Sequence, residues 1–313
     1  MGEIFRRETA EHPEPFTGER LTTAVGGQVQ IEHYHRYLFA RSLVANLDVL
    51  DVASGEGYGS ALLAQVARSV IGAEYSGSTV AGAARNFPRP NLRFLQGDAR
   101  ALPLADASID AVVSFETIEH FDRQIDFVRE VHRILRTNGR FIVSTPDRDV
   151  YSPAGSAANP FHVHELSASE FATLLSATFR NVAVLRQRAL IGSALLADTA
   201  SSAPPLVFDR RGDMHFESCI GIPRAPYLIA VASDGELPPV PPSIYVSRGD
   251  VDTDLLSAMT LARQVNDLQA QLKRAEHDRA EAEQRLAMLR GSLRTFARGY
   301  LPLLRARFFG QRP

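Results

Sequence analysis

The sequence has very little cysteine and no long apolar run. Its single thiol, Cys219, excludes an intramolecular disulfide framework and zinc sites built from several thiolates, so we expect a reducing compartment. No stretch approaches ~18 consecutive apolar residues, and a transmembrane helix is therefore not expected. The first residues, MGEIF, lack the apolar core of a signal peptide. These absences predict a cytoplasmic protein.

The chain also lacks a strong excess of one charge. Its 34 basic and 36 acidic residues leave a formal net charge of −2, which argues against binding nucleic acid through overall positive charge. The charge is uneven, however, because residues 290–313 hold six arginines and no acidic residue. Aromatic and aliphatic residues between these arginines are typical of a helix on anionic lipid. We predict a basic amphipathic tail over 298–313, broken by Gly299 and Pro302, that binds a membrane surface or a groove on a partner protein.

Short apolar runs alternate with helix-length segments through most of the sequence. A helix is predicted from about Gln28 to Ala45, and another from Phe127 to Arg136 that ends at residues 138–139 (NG). The main predicted strands are residues 49–53, 69–73, 111–115, 139–144, 181–188 and 227–232, and a further strand is predicted to end at residues 96–99. Apolar strands that alternate with helices form a parallel sheet covered on both faces, so we expect an α/β, doubly wound, Rossmann-like fold.

Two changes of composition set off the C-terminal part. Four prolines among residues 238–242 predict a stiff linker over 237–251. Beyond it, apolar residues recur at alternating steps of three and four from Ala258 to Phe296, interrupted only by Arg279. This period predicts a coiled coil over 252–297 that joins copies of the chain into a homo-oligomer, a dimer or trimer. An isolated helix folded back on the domain is the alternative.

Glycine and polar residues follow four of the predicted strands where each strand ends. Residues 51–59 (DVASGEGYG), Glu74, residues 96–99 (QGDA) and residues 114–120 (SFETIEH) occupy these positions. Because the carboxyl ends of parallel strands meet at one edge of a sheet, these groups line one crevice. Glycines let the backbone approach a ligand there, and an acid about 20 residues further on suits ribose hydroxyls. Dinucleotide oxidoreductases share such a glycine-rich turn and are the alternative class.

These segments, with residues 97–103, 110–114 and 133–139, make the sequence resemble the class I S-adenosylmethionine (SAM)-dependent methyltransferases. The resemblance implies SAM as cofactor and a domain over 46–236 with a seven-stranded sheet, mostly parallel with one antiparallel strand. It implies that Gly55 and Gly57 approach the methionine part of SAM, Glu74 holds the ribose and Asp98 recognises the adenine. Ala53 stands where the family usually has a glycine, and turn capping is the alternative for Asp98. The predicted cofactor-binding set is Asp51, Ala53, Gly55, Gly57, Glu74, Asp98, Ala99, Ser114, Tyr34 and Arg36.

Two segments that flank these motifs resemble a particular subgroup of the methyltransferases. Residues 16–20 and 32–37, within a predicted arm and cap helix over 1–45, resemble the N-terminal cap of bacterial methyltransferases encoded with surface-polysaccharide enzymes. Residues 159–166 resemble that group and also some quinone-type O-methyltransferases. The resemblance implies a helix that closes over SAM. Tyr34 and Arg36 are the candidates for binding the methionine carboxylate of SAM, because a guanidinium pairs with a carboxylate through two parallel hydrogen bonds. A purely structural salt bridge is the alternative for Arg36.

Methyl transfer to a hydroxyl is helped by a base near the acceptor oxygen, and histidine suits neutral pH. His162 is the predicted base and His120 the second candidate, with Glu116 and Glu119 as partners that orient or charge an imidazole. The alternative is that either histidine merely packs against the cap helix. His162 and His164 share a face of an extended segment, but two ligands fall short of the usual three, so no metal is expected.

The expected function is methylation of a glycan hydroxyl in surface-polysaccharide (O-antigen-like) biosynthesis. The acceptor would be a glycan or lipid-linked saccharide at the inner face of the cytoplasmic membrane, with no nucleic-acid partner. Two alternatives stay open: a small lipophilic or secondary-metabolite acceptor, and a methyltransferase-fold scaffold in a glycan-assembly complex. An insertion before the last strand, with Arg210, Arg211 and His215, is expected to cover the acceptor site, although a plain surface loop fits equally well.

Overall fold

The computed structural model describes residues 8–11, 27–153, 155, 159–190, 193–195, 204–211, 215–246 and 251–310. The chain divides into two compact units, Met1–Tyr245 and Val246–Pro313. Three parts of the sequence predictions lie outside the described residues. They are the cap segment 16–20, positions 201–203 and 212–214 of the insertion, and the end of the tail at 311–313.

The first unit alternates strands and helices along the chain. Its strands are β1 (Asp48–Val52), β2 (Ser69–Glu74), β3 (Leu92–Gln96), β4 (Ile109–Ser114), β5 (Leu135–Pro146), β6 (Asn181–Gln187), β7 (Leu206–Arg210), β8 (Phe216–Ile220) and β9 (Tyr227–Ser233). Its helices are α1 (Gln28–Leu43), α2 (Tyr58–Leu63), α3 (Gly77–Asn86), α4 (Gln124–Ile134), α5 (Arg148–Tyr151) and α6 (Ala168–Ser176), with a 3-10 turn at Ile118–His120.

Seven strands form one sheet in the order β3-β2-β1-β4-β5-β9-β6. The first five are parallel to one another, and β9 runs antiparallel between β5 and β6. The doubly wound, mostly parallel sheet with one antiparallel strand is thus confirmed. The register pairs Val52 with Ala73 and Asp51 with Val113, so β1, β2 and β4 end at the same edge of the sheet.

Each face of the sheet carries its own apolar cluster. Val49 and Val113 pack with residues of α1 and α2, whereas Leu50 and Val112 pack with residues of α4 and α6. Successive side chains of a strand point to opposite faces, so one apolar run supplies both clusters. The continuous apolar runs in the sequence follow from this double burial.

Helix α4 ends two residues earlier than its sequence pattern predicts. It stops at Ile134, and Leu135 already pairs with Ile109 at the start of β5. Asn138 adopts a left-handed backbone (φ 65°) within β5, and the pairing changes register between Leu135 and Arg140. Residues 138–139 therefore form an irregularity of a strand, because pairing with β4 replaces the last turn of the helix.

The proline-rich segment packs on the first unit over most of its length. Leu237, Val240 and Tyr245 contact the apolar cluster that includes α1, and the Oγ of Ser243 lies 2.9 Å from Nε2 of His35. Residues 237–245 therefore belong to the first unit. The prolines stop helix and sheet formation there, as expected, but leave side chains that can be buried.

The second unit contains α7 (Val251–Phe309), one continuous helix of 59 residues. The predicted break in the tail is wrong, because the helix runs through Gly299 and Pro302. An interior proline removes one backbone hydrogen bond and costs about 3 kcal/mol, but it does not oblige a helix to end. Apolar heptad residues such as Leu268 and Leu293 are exposed on the single chain, and the coiled coil stays a prediction. Of the described helices, none combines the length and apolar character needed to cross a bilayer.

Candidate active site

The glycine-rich loop lies between β1 and α2. Ala53, Gly55 and Gly57 have φ values of 57°, 53° and 92°, and Gly57 precedes the first residue of α2. At Gly57 a Cβ would lie 2.8 Å from Cζ of Phe94, so both the backbone angle and the space require glycine. At Gly55 a Cβ would meet no atom of the described residues within 4 Å, so these residues leave space beside the loop. The predicted turn into a helix N-terminus is present.

Asp51 sits beneath the loop, fully buried at the end of β1. Its Oδ2 accepts a hydrogen bond from Oγ of Ser60 (2.6 Å), and Tyr37 Oη donates toward both carboxylate oxygens (3.2 and 3.3 Å). Burial raises the pKa of Asp51 to about 7, although the two hydroxyls oppose that shift. Tyr37 itself packs on the first turn of α2, since a Cβ at Gly59 would lie 2.0 Å from its Cζ.

Glu74 reaches the loop from the end of β2. The side chain is buried, and its two oxygens accept hydrogen bonds from the backbone N–H of Gly55 (Oε2, 3.1 Å) and Ser76 (Oε1, 3.2 Å). Each carboxylate oxygen has a second lone pair, so these bonds hold the group in place without exhausting its capacity to accept. This position is the one that the sequence predicts for a ribose ligand.

Asp98 forms a local turn with a partner that the sequence analysis missed. Its Oδ1 accepts hydrogen bonds from the backbone N–H and the Nε of Arg100 (2.9 and 3.1 Å), and its Oδ2 accepts from Nη2 (2.9 Å). Arg100 lowers the pKa of Asp98 through these bonds. The turn-capping alternative thus describes contacts that Asp98 makes, and its role toward adenine stays a prediction. Ala99, the next residue, packs against the apolar cluster on one face of the sheet.

Arg36 is buried where α1 crosses the edge of the sheet. Its Nε donates to Oε1 of Gln187 (2.6 Å), and its guanidinium carbon lies 4.3 Å from the ring centre of Tyr227. Nη1 lies 3.2 Å from Oε1 of Glu116, an ion-pair distance. Even so, neither terminal nitrogen makes a hydrogen bond of good geometry to the residues that the structure describes. A fully buried guanidinium with unused donors is suited to a carboxylate ligand.

Tyr34 makes its described contacts with Glu8 and Tyr58. Its hydroxyl donates to the backbone oxygen of Glu8 (2.5 Å), and its ring stacks on Tyr58 at 5.3 Å.

Ser114, at the end of β4, is fully buried, and its Oγ lacks a partner among the described residues, as does the Oγ of Ser54 in the loop. Buried hydroxyls without partners are rare in proteins and mark places where a ligand or water completes the site.

The two predicted catalytic histidines lie together. Their ring centres are 5.4 Å apart, although 42 positions separate His120 from His162 in the sequence. Nδ1 of His162 lies 2.5 Å from Oε1 of Glu165, and its Nε2 lies 3.0 Å from Nδ2 of Asn159. Nδ1 of His120 lies 2.8 Å from the backbone oxygen of Phe161. Glu165, rather than either predicted glutamate, is the carboxylate that holds His162.

Glu119 lies behind this pair. Its backbone oxygen accepts hydrogen bonds from the N–H of Val163 (2.9 Å) and His164 (3.0 Å), which fastens the segment after β5 to the turn after β4. Its side chain is fully buried, and burial, reinforced by Glu116, raises its pKa well above the usual range. Glu116 instead accepts a hydrogen bond from Oγ of Ser144 (2.6 Å).

A series of ring contacts connects the buried arginine to the histidines. Tyr227, beneath Arg36, lies 5.7 Å from Tyr151, and Tyr151 stacks on His162 at 5.6 Å. The candidate base therefore lies on the same edge of the sheet as the group suited to a carboxylate. Among the described residues, the terminal nitrogens of Arg36 lack hydrogen-bond partners and the space at Gly55 is unfilled. Together with the Glu74 carboxylate, these features fit a zwitterionic ligand that carries a ribose.

Comparison with known proteins shows what this region is similar to. Residues 50–143 match the methyltransferase domain family. The chain is 43% identical over 164 residues to a "probable S-adenosylmethionine-dependent methyltransferase" of Mycolicibacterium smegmatis, covering 51% of this chain and 63% of the relative. A protein described in the same words from Mycobacterium tuberculosis is 42% identical over 176 residues, covering 54% and 62%. A fatty-acid O-methyltransferase of M. smegmatis is 36% identical over 117 residues, covering 36% and 41%.

These matches and the sheet topology agree. Residues 50–143 match a methyltransferase domain, and the order and directions of the strands are those that the resemblance to class I SAM-dependent methyltransferases implies. The chain spans about three fifths of the length of the two mycobacterial relatives it matches first (63% and 62%).

Proposed function

We propose that this chain is a SAM-dependent O-methyltransferase that methylates a glycan hydroxyl, with His162 as the base. The observation that carries the proposal is the His162–Glu165 pair on the edge of the sheet that holds Arg36. A carboxylate at Nδ1 selects the tautomer in which Nδ1 carries the proton and Nε2 has the lone pair. The 2.5 Å contact with Glu165 is suited to that selection.

Each residue of the site has a separate role in this proposal. The guanidinium of Arg36 binds the carboxylate of SAM, Glu74 binds its ribose hydroxyls, and Asp98 recognises its adenine. SAM would supply an electrophilic methyl group, whose bond to sulfur would break as the bond to the acceptor oxygen forms, with that electron pair left on sulfur. Nε2 of His162 takes the proton of the hydroxyl, and Glu165 stabilises the imidazolium that results. The hydroxyl displaces Asn159 from Nε2, so the base is shielded until an acceptor arrives.

The glycan acceptor rests on the resemblance of the cap helix and of residues 159–166 to methyltransferases encoded with surface-polysaccharide enzymes. The helix part of that likeness is α1, whose Arg36 contacts β6 and β9 through Gln187 and Tyr227. Residues 159–166 supply His162, Glu165 and the backbone oxygen that holds His120. The two resembling segments thus supply the groups assigned to the cofactor and to the base.

The test is transfer of labelled methyl from SAM to lipid-linked glycan of the native cell. We expect label on a glycan oxygen, and a fall in kcat of at least about 100-fold in H162Q because a positioned base contributes on that order. The matched control is H164Q, which changes an exposed histidine of the same segment and should leave the rate unchanged. Calorimetry with SAM separates a catalytic defect from loss of cofactor binding. SAM binding without transfer to any acceptor would instead support the scaffold role.

A lipophilic acceptor is the second candidate, favoured by the insertion. It forms the hairpin β7–β8, whose exposed face carries Leu206, Phe208, Phe216 and Ile220. Arg188, the residue after β6, anchors the hairpin through Asp209 (3.0 Å). The fatty-acid O-methyltransferase among the relatives is consistent with such an acceptor. Label on an added fatty acid, and none on the glycan, would favour this candidate.

We further propose that α7 joins copies of the chain through its exposed heptad leucines and places the domain at the inner face of the cytoplasmic membrane. Exposed Leu301 and Phe308 lie among Arg298, Arg305 and Arg307 near its end. Liposomes that contain anionic lipid should float the full chain and not a chain cut after residue 297. Equal recovery of the two would favour a partner protein as the ligand of the tail. Light scattering with and without α7 tests the oligomer.

A further inference from the structure

The turn after β4 and the segment after β5 bring together three metal-ligating side chains. Glu119, His120 and His162 each offer a ligand atom, and these atoms lie within 4.8 Å of one another. We propose that this cluster binds one divalent first-row transition-metal ion, such as Zn²⁺, through two imidazoles and one carboxylate. The proposal goes beyond the methyl transfer proposed above, and ion binding can be measured without turnover.

Both imidazoles are arranged as metal ligands usually are. A ligating histidine donates one ring N–H to a carboxylate or backbone oxygen, which directs the lone pair of the other nitrogen at the ion. Nδ1 of His162 contacts Glu165 (2.5 Å), and Nδ1 of His120 contacts the backbone oxygen of Phe161 (2.8 Å). In both rings Nε2 is the nitrogen left to bind an ion.

The carboxylate is a second, independent observation. Glu119 is fully buried, and its Oε1 has no hydrogen-bond partner among the residues that the structure describes. Its Oε2 receives a long contact from Oγ1 of Thr145 (3.4 Å). A buried carboxylate oxygen without a partner is costly, and a cation removes that cost.

The contacts between His162 and Asn159 show which hydrogen bond an ion must replace. Nε2 of His162 lies 3.0 Å from the amide of Asn159, whose Oδ1 accepts from the N–H of Phe161, so the ion takes the place of the Asn159 amide. Ligand atoms on a tetrahedral zinc ion lie ~3.3 Å apart, whereas one candidate atom from each of the three side chains lies within 4.8 Å of the others, so binding requires the cluster to contract. Two histidines and one glutamate leave a fourth position open, as in catalytic zinc sites.

An ion there changes how the acceptor is activated. The two proposals describe two states of the site. Without the ion, Nε2 of His162 is free to act as the base. With an ion bound at Nε2, the ion would instead lower the pKa of a hydroxyl at the open position. The segment that contains His164 is not itself the site. His162 joins a glutamate and a histidine from the preceding turn, so the two-ligand set considered from the sequence is replaced by a three-ligand set.

The experiment is titration of the full chain, stripped with a chelator, with Co²⁺ followed by visible absorption and with Zn²⁺ followed by calorimetry. We expect one ion per chain with micromolar or tighter affinity, and at least about tenfold weaker binding in E119Q and in H120Q. The matched controls are H164Q and H132Q, which change histidines outside the cluster and should bind as the unaltered chain does. SAM binding and circular dichroism confirm that each variant is folded. If E119Q fails to fold, H120Q, at a partly exposed position, still decides the question.

Two results would overturn the inference. One is no saturable binding of a single ion below about 100 μM. The other is binding that E119Q and H120Q leave unchanged, which would assign the ion to other groups. Ion binding with no methyl transfer would contradict the proposed function alone, whereas transfer that is unaffected by chelation, without ion binding, would contradict this inference alone.

Discussion

The buried Asp51 should make the stability of the methyltransferase domain fall as pH rises through neutrality. The carboxyl is fully buried, and burial raises its pKa from 3.8 to about 7. Between these values the folded chain holds a proton that the unfolded chain has released, so the free energy of unfolding decreases as pH rises. The stabilising contribution is complete below the unfolded pKa and lost as pH passes the folded pKa.

The size of the effect follows from the same two values. The difference between 3.8 and about 7 corresponds to about 4 kcal/mol once both states are ionised. About 2.5 kcal/mol of this falls between about pH 5 and pH 8, where the measurement is practical. Ser60 and Tyr37 donate to the carboxylate and are already included in the shift.

The assay is urea unfolding of the unaltered chain and of D51N at both pH values, followed by near-ultraviolet circular dichroism of the buried tyrosines. Asparagine keeps the size of the side chain and does not titrate, so D51N serves as the reference for every other group. We expect the stability of the unaltered chain relative to D51N to fall by about 2.5 kcal/mol from about pH 5 to pH 8. A difference that stays constant within about 0.5 kcal/mol would refute the assignment of a raised pKa to Asp51.

Three further outcomes are expected. A53G should raise the free energy of unfolding by about 1 kcal/mol, because Ala53 has a φ of 57° that glycine adopts freely. An unchanged or lower free energy of unfolding would show that the methyl group of Ala53 makes stabilising contacts. G57A should lower it by at least about 2 kcal/mol and weaken SAM binding in calorimetry, because its Cβ would lie 2.8 Å from Phe94, and tolerance of the change would contradict that packing. A chain cut after Tyr245 should bind SAM as a stable monomer, whereas a cut before Leu237 should melt at a lower temperature; equal melting temperatures would mean that the proline-rich segment contributes nothing.

The local sequence pattern determined most of the sheet and the glycine-rich loop. Apolar runs, glycines and turn residues act within a few positions of one another, so β1 to β4, the loop at Ala53–Gly57 and the placement of Asp51 and Glu74 could be read before the structure. The same locality explains where the pattern misled. The length of α4 depends on pairing of Leu135 with Ile109, and the packing of residues 237–245 depends on the surface of α1.

The partners of the functional side chains were decided by tertiary structure alone. Sequence named Arg36, His120 and His162, but it could not show that Gln187 holds Arg36 from 151 positions away. Nor could it show that Glu119, His120 and His162 form one cluster while His164 stays exposed. The physical reason is that residue type and spacing specify which groups reach the edge of the sheet. Which of them touch there depends on how distant segments pack across that edge, and no local pattern records that packing.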